Sequence, residues 1–247
     1  MSTVLTAILA ILVFGALILI HEFGHFVAAK KFGVRVNEFA IGMGPTVWSA
    51  QRGETLYALH LFPVGGFVSM EGEEDQESPD GRAFCNKKPW QRLLIMAAGP
   101  AMNLLLGYLL ILGLTAAGNG IATPVIHSFD EDAVTSQYLE PGDRILSMDG
   151  HRIHTANDIS FYLSREADGV MDLVVLRDGE QVELPDVHFK MENVQGVDIV
   201  TIDFIVVGEP KTLLNVPVYA LDWTVSLTKQ LWFSIWDLVF SDRYGIE

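Results

Sequence analysis

The sequence contains little cysteine and few basic residues, and both shortages restrict what the chain can be. Its single cysteine, Cys85, cannot form an internal disulfide, so no oxidised framework stabilises the fold. Residues 120–247 carry 8 Lys and Arg against 22 Asp and Glu, which argues against nucleic acid as a partner because its binding needs a basic surface. Residues 1–119 carry 8 basic and 9 acidic side chains together with the long apolar runs. The composition therefore predicts an apolar first half followed by an acidic, water-soluble second half.

A first apolar run extends from Val4 to Ile20 without a charged residue, and its apolar character continues to Ala29. A helix from Val4 to Ala29 would be about 39 Å long, enough to cross a hydrocarbon core of about 30 Å. A signal peptide is the alternative, but no Lys or Arg precedes the run and no A-x-A cleavage site closes it. We therefore assign residues 1–29 to a first transmembrane helix.

A second apolar segment covers residues 93–118 and contains Gly99-Pro100. Proline inside a spanning helix leaves a backbone carbonyl unbonded, which favours a helix packed against protein rather than lipid. Basic residues follow the first segment and precede the second, whereas none occurs at the opposite end of either segment. The positive-inside rule then predicts that residues 30–92 are cytoplasmic and that both ends of the chain lie outside the cytoplasm.

The sequence His21-Glu22-Phe23-Gly24-His25 lies within the first segment and matches H-E-x-x-H. On a helix, His21 and His25 share one face, so both imidazoles can bind one cation. Glu22 lies beside that position, where a general base can take a proton from water. A polar stripe that packs two helices together is the simpler alternative. Ionisable groups are costly in a membrane span, however, and a zinc ion held by His21 and His25 would account for them.

Four segments resemble the bacterial site-2 protease family, whose members cleave transmembrane helices of other proteins. They are the H-E-x-x-H motif and residues 62–70, 98–103 and 139–150, in an order and spacing that fit across essentially the whole chain. The resemblance implies zinc as cofactor, transmembrane proteins as substrates, the lipid bilayer as surroundings, and a location in the bacterial inner membrane. Soluble zincins fit poorly because the first segment is a membrane span and the extended ligand pattern H-E-x-x-H-x-x-G-x-x-H is absent.

The third zinc ligand of this family is an Asp in a Leu-Asp-Gly motif on a later transmembrane helix, and this sequence has no such motif. Asp149 precedes a glycine but lies at a turn in the acidic half, and Asp222 follows a leucine but precedes Trp223. Two histidines alone bind zinc weakly compared with three protein ligands. We therefore expect the third ligand beyond residue 247.

Residues 30–92 contain a strand-like alternation from Glu38 to Met70, with a turn signal at residues 52–54 and residues 63–66 expected to close the last strand. A surface hairpin without a role in catalysis is the alternative. In the family this segment is a membrane-associated β-structure near the active site, and a free strand edge can hold an extended peptide. The candidate substrate-binding residues are Gly65, Gly66, Phe67 and, in the second span, Asn103. For Asn103, simple packing between helices and support of a metal ligand are alternatives.

The acidic half resembles a circularly permuted bacterial PDZ domain over residues 119–209. An extended peptide is its candidate partner, and a spacer or a size filter for substrates are the alternatives. Residues 210–247 combine aromatic side chains with a polar stripe, which is typical of an interfacial amphipathic helix. The predicted fold class is a polytopic α-helical membrane protein with a cytoplasmic β-rich loop and an α+β PDZ-like extracytoplasmic domain.

The function that the sequence favours is zinc-dependent cleavage of transmembrane segments of membrane proteins, that is, regulated intramembrane proteolysis with Glu22 as general base. Two alternatives remain open. One is a catalytically inactive, membrane-anchored PDZ adaptor, which the missing third ligand allows. The other is a metal-binding membrane protein without protease activity.

Overall fold

The computed structural model describes residues 3–74, 77–166, 168–194 and 197–240. The chain divides into two compact units, Met1–Gly107 and Tyr108–Glu247, and one long helix runs across their boundary. The first unit contains two long helices and a β-hairpin. The second contains a mixed β-rich domain and a third long helix.

The long helices of the first unit are α1 (Thr3–Lys31) and α2 (Pro89–Ala117). Helix α1 is followed by Gly33, whose φ of 67° is the left-handed conformation that commonly ends helices. Helix α2 begins with proline, which suits the first helical position because that residue's N–H has no partner within the helix. Both helices are long and apolar enough to cross a membrane by length and composition, close to the predicted segments 1–29 and 93–118.

The hairpin consists of β1 (Val36–Arg52) and β2 (Thr55–Met70), which pair antiparallel. Residues 36–41 pair with both 66–70 and 56–59, so the first part of β1 lies between two parts of β2. As a result, residues 66–70 form an edge of this sheet among the residues that the structure describes.

The expectation that residues 63–66 close the last strand is wrong, because β2 continues to Met70. Gly65 has a φ of 89°, a conformation that an L side chain rarely adopts, and the pairing with β1 shifts register on either side of it. The glycines therefore produce an irregularity within the strand, after which Gly66 pairs with Ile41 and Phe67 with Ala40.

A buried apolar cluster joins the end of α1 to the hairpin and to the start of α2. Its members are Ala29, Val34, Val36, Phe39, Val68, Met70 and Ile95. Away from this cluster, the apolar side chains of the helices are largely exposed, for example Val4 at 69% and Leu93 at 67%. The cluster thus fixes the hairpin beside the turns of α1 that carry the H-E-x-x-H motif.

The second unit contains a β-rich domain. Its elements are β3 (Ile121–Phe129), β4 (Arg144–Met148), β5 (His151–Arg152), α3 (Ala156–Leu163), β6 (Val170–Arg177), β7 (Glu180–His188), β8 (Lys190–Val194), β9 (Val197–Thr201) and β10 (Phe204–Glu209). Six strands form a sheet in the order β10-β3-β4-β6-β7, with β5 paired to β4, and β8 and β9 form a separate hairpin. Fully buried side chains such as Ile145, Leu173 and Val175 from the central strands form its core. The region predicted as PDZ-like is therefore a single β-rich domain with one short helix.

Helix α4 (Asn215–Phe240) packs its polar side against this domain. Ser226 is buried and donates a hydrogen bond to Asp158 of α3, and Arg165 donates to Asp237 at 3.0 Å. Of its aromatic side chains, Phe233 lies against His151 of β5 with the ring centroids 5.6 Å apart, whereas Trp232 is 66% exposed. The predicted segment 210–247 thus contains a long helix that has polar contacts with the domain and exposed apolar side chains. Its last part, residues 241–247, lies outside the described residues.

Candidate metal centre

Helix α1 places the two histidines of the H-E-x-x-H motif on its side that faces α2. The imidazole centroids of His21 and His25 are 4.8 Å apart. Gly24 lies between them in sequence, and a Cβ built there would overlap the carbonyl oxygen of Ala98 and lie 2.8 Å from Met102 Cγ. The missing side chain at Gly24 therefore lets the backbone of α2 approach α1 at the level of the histidines.

Gly99 of α2 lies directly against the Nε2 atoms of both histidines. A Cβ built on Gly99 would overlap Nε2 of His25 and would lie 2.7 Å from Nε2 of His21. The two nitrogens thus converge on one small space that a side chain at residue 99 would fill. Because imidazole nitrogens bind zinc at about 2.0–2.1 Å, this space suits a shared metal ion.

The other ring nitrogen of His25 has a partner that fixes the tautomer. Nδ1 of His25 lies 2.7 Å from the backbone carbonyl oxygen of Ile95. A carbonyl oxygen only accepts hydrogen bonds, so Nδ1 carries the proton and Nε2 presents its lone pair. His25 is therefore prepared to bind a metal through the nitrogen that faces Gly99.

His21 has a side-chain partner on α2 instead. Its Nδ1 lies 3.2 Å from Nδ2 of Asn103, and Oδ1 of Asn103 is buried without a hydrogen-bond partner among the described residues. The structure therefore brings Asn103, predicted as a substrate-binding residue, into contact with a candidate metal ligand.

Strand β2 runs beside the predicted general base. A Cβ built on Gly66 would lie 3.8 Å from Cγ of Glu22 and 2.9 Å from the carbonyl oxygen of Ala40. Gly66 therefore belongs to the surroundings of Glu22. Of its neighbours, Gly65 lies against the side chain of Met43, and Phe67 stacks on His60 at 6.1 Å.

Ion pairs hold the turn of the hairpin to the end of α1. Glu54 accepts hydrogen bonds from Arg82 at 2.6 Å and from Lys30 at 2.9 Å. The bond from Arg82, followed by that from Lys30, lowers the pKa of Glu54 from 4.5 to about 2. The hairpin is thereby attached to α1 both at this turn and beside the H-E-x-x-H motif.

Zinc fits the two histidines, but the donor set is incomplete in the part of the chain that the structure describes. No group of three or more His, Cys, Asp or Glu side chains there could hold a metal ion. Asp149 lies in the turn between β4 and β5 with a φ of 45°, and its carboxylate accepts from the N–H of Asp172. Asp222 borders a cavity of about 370 Å³ in the second unit that Arg144 and His154 also line.

Residues 9–244 match the family model described as peptidase family M50. The chain belongs to this family. Membership in M50 confirms the resemblance to site-2 proteases that the four sequence segments suggested. The same matches support a zinc metalloprotease, and the metal-binding role of His21 and His25 stays a prediction.

Relatives in several bacteria are named as candidate zinc metalloproteases. The M50 chain is 39% identical over 233 residues to one from Clostridium perfringens, covering 94% of this chain and 68% of the relative. It is 36% identical over 231 residues to one from Clostridium acetobutylicum, covering 92% of this chain and 66% of the relative. A third, from Thermotoga maritima, is 40% identical over 184 residues, with coverages of 70% and 35%. The chain thus spans about two thirds of the first two relatives.

One solved structure also resembles part of the chain, the PDZ domain of an SdrC-like protein from Listeria monocytogenes. The match covers 36% of this chain and 90% of that domain at 16% identity, with a TM-score of 0.29. A score this low does not establish the fold, so the PDZ domain stays a prediction.

Two features of the M50 site were not predicted from the sequence. One is the hydrogen bond from His25 to the carbonyl of Ile95, and the other is the close contact of Gly99 with both imidazoles. The pair Gly99-Pro100 was noted as unusual in an apolar helix, and that was the available signal. The contact with the histidines depends on how α1 and α2 cross, which no local pattern specifies.

Proposed function

We propose that this M50 chain carries the catalytic half of an intramembrane endopeptidase that cleaves transmembrane segments of membrane proteins. The observation that supports this most is the convergence of two imidazole nitrogens above Gly99, with Glu22 directly after His21 in α1. All of these groups lie within helices apolar enough to cross a membrane. A hydrolytic site buried in such helices suits a peptide bond that is itself within the bilayer.

When bound by His21 and His25, zinc supplies a Lewis acid that polarises the peptide carbonyl and acidifies a water molecule. Glu22 then acts as general base, accepting the proton of the attacking water and passing it to the leaving amine nitrogen. His25 keeps its own proton on Nδ1 because of the Ile95 carbonyl, so this imidazole serves as a ligand and not as the base.

Substrate is proposed to bind at the edge of β2. A helical peptide bond is shielded by its own hydrogen bonds, so a substrate span must become extended before hydrolysis. Residues 66–69 lie on a strand edge in the described part of the chain, and Gly66 lies next to Glu22. Addition of an extended segment to this edge by β-augmentation would bring its peptide bonds close to the base.

The proposed location is the bacterial inner membrane, in a protein that crosses it several times. Lys30 and Lys31 end α1. Lys87, Lys88 and Arg92 lie around the start of α2. These flanks support a cytoplasmic position for residues 30–92 and an extracytoplasmic position for the β-rich domain, where an extended peptide is the proposed ligand.

A membrane-anchored adaptor without catalytic activity is the second candidate. It is favoured by one observation, that the described residues provide only two metal-binding side chains at the site. Such a protein would hold a partner through the β-rich domain and would cleave nothing.

The replacement Glu22→Gln distinguishes these candidates. The full-length protein is reconstituted in proteoliposomes with a tagged single-span model substrate, and both bound zinc and cleavage are measured. We expect Glu22→Gln to retain zinc while cleavage falls by about 10²–10⁴-fold, the usual contribution of a general base.

The matched control is Glu183→Gln, the same chemical change at an exposed position on β7. It should leave cleavage unchanged. Cleavage by the Glu22→Gln variant at the wild-type rate would remove Glu22 from the mechanism, and an inactive wild-type protein would support the adaptor.

A further inference from the structure

The contact between Asn103 and His21 can exist in two forms that have opposite chemical consequences. With the amide as placed, Nδ2 faces Nδ1 of His21 at 3.2 Å, and Oδ1 is buried without a partner in the described part of the chain. A donating amide requires a lone pair on Nδ1, which puts the ring proton on Nε2. Rotation of the amide by 180° exchanges its oxygen and nitrogen at almost the same positions, and the oxygen then accepts from Nδ1–H.

His25 shows which form is compatible with a shared metal ion. Its Nδ1–H donates to the carbonyl of Ile95, so its Nε2 presents a lone pair toward Gly99. Nε2 of His21 faces the same point. For His21 to bind there as well, its proton must be on Nδ1, and that proton needs an acceptor. With its amide turned, Asn103 provides that acceptor, because Oδ1 then takes the position that Nδ2 occupies 3.2 Å from Nδ1.

We propose that Asn103 is a positioning residue, whose side-chain oxygen accepts a hydrogen bond from Nδ1–H of His21 and so keeps Nε2 free to bind zinc. This inference rests on the proposed function for the identity of the metal, but the hydrogen bond itself belongs to the metal-free protein. Partners of this kind fix the tautomer and ring orientation of a ligand, and their loss typically weakens metal binding 10–100-fold. Helix α2 would then orient both histidines, His25 through its backbone and His21 through a side chain.

The tautomer of His21 in the metal-free protein tests the proposal without any activity measurement. The full chain is labelled with ¹⁵N-histidine, purified in detergent with chelator and studied by two-bond ¹H–¹⁵N correlation. The His21 signals are assigned by their loss in a His21→Asn variant. We expect Nδ1–H for His21, with His25 as an internal reference for that tautomer.

Three variants separate positioning from packing. Asn103→Leu keeps the size of the side chain and should shift His21 toward the Nε2–H tautomer while weakening zinc binding about 10–100-fold. Asn103→Asp keeps an acceptor oxygen and should restore both the Nδ1–H tautomer and zinc binding. Thr115→Val removes another buried polar group of α2 that has no partner among the described residues, and it should change neither.

An Nε2–H tautomer in the wild-type protein would overturn the proposal, because Asn103 would then be a donor. Weaker zinc binding by Asn103→Leu with an unchanged tautomer would also overturn it and would indicate packing alone. Failure of the proposed function is seen separately, since an inactive protein with His21 in the Nδ1–H form would leave the assignment of Asn103 intact.

Discussion

Nε2 of His21 lies 2.7 Å from the point that a Cβ at residue 99 would occupy, so the absence of a side chain at Gly99 is a condition for the metal site. This relationship joins two helices across 78 positions of sequence, from residue 21 to residue 99. It also gives the most direct test of where the metal binds.

The replacement Gly99→Ala should weaken zinc binding. The added methyl group would occupy the space between the two imidazoles, and we expect a loss of at least about 10–100-fold in affinity, the usual cost of losing a residue that only orients a ligand. Zinc content and affinity of the purified protein provide the measurement. Gly107→Ala in the same helix is the matched control, because a Cβ there meets nothing within 4 Å. Equal zinc binding by the two variants would place the metal elsewhere.

The replacement Gly66→Ala should lower cleavage more than zinc binding. A Cβ at this position would lie 2.9 Å from the carbonyl oxygen of Ala40, so the β2 edge must move relative to β1 and Glu22. The kinetics of a model substrate in proteoliposomes would show the effect, with Gly81→Ala as control because nothing lies within 4 Å of its added Cβ. If Gly66→Ala cleaves normally, the edge is not the substrate site.

Thiol labelling should reveal on which side of the membrane the hairpin region lies. A maleimide that cannot cross membranes should miss Cys85 in intact spheroplasts and label it after lysis, because residues 30–92 are predicted to be cytoplasmic. A Ser136→Cys variant in a Cys85→Ser background should show the opposite behaviour, since Ser136 is exposed in the β-rich domain. Labelling of Cys85 before lysis would show that residues 30–92 lie outside the cytoplasm and that the predicted topology is wrong.

The low pKa of Glu54 predicts a pH-dependent contribution to stability. A carboxylate with a pKa lowered from 4.5 to about 2 stabilises the folded state above its ordinary pKa, and this stabilisation is lost as the pH falls through the lowered value. The wild-type protein should therefore melt at a higher temperature than Glu54→Gln at pH 7, and the difference should shrink below a pH of about 4.5. Thermal unfolding in detergent from pH 7 to pH 3 measures this. A difference that stays constant over that range would argue against the ion pairs with Arg82 and Lys30.

Helix α4 should detach more readily when Ser226 is replaced by alanine. The Ser226 hydroxyl donates to the carboxylate of Asp158 in a buried position, and such bonds to charged groups contribute about 1.5–3 kcal/mol. Hydrogen exchange of the α4 amides should accelerate accordingly. The matched control is Ser234→Ala, which removes a hydroxyl that donates to the Gln230 carbonyl within the same helix. Unchanged exchange in the Ser226 variant would show that α4 is held without the bond to Asp158.

Patterns within short stretches of sequence predicted the helices and the histidine pair, because these depend on residues that are close together in the chain. Uninterrupted apolar runs indicated α1 and α2, and the spacing of His21 and His25 put both imidazoles on one face. The contacts of Ile95, Gly99 and Asn103 with those imidazoles could not be predicted, because they depend on how two distant helices cross. The end of β2 was misjudged for a different reason, since Gly65 usually indicates a turn but here permits a bulge within a continuing strand.

The way α4 packs has a practical consequence for obtaining the β-rich domain in water. A recombinant fragment ending at residue 209 would lack Ser226 and would expose the carboxylate oxygen of Asp158 that the hydroxyl now covers. A fragment extended to Phe240 would keep that contact but would present Trp232 and Trp236, which are 66% and 52% exposed, and would tend to self-associate. A soluble version therefore needs the helix retained and the outward tryptophans replaced by polar residues.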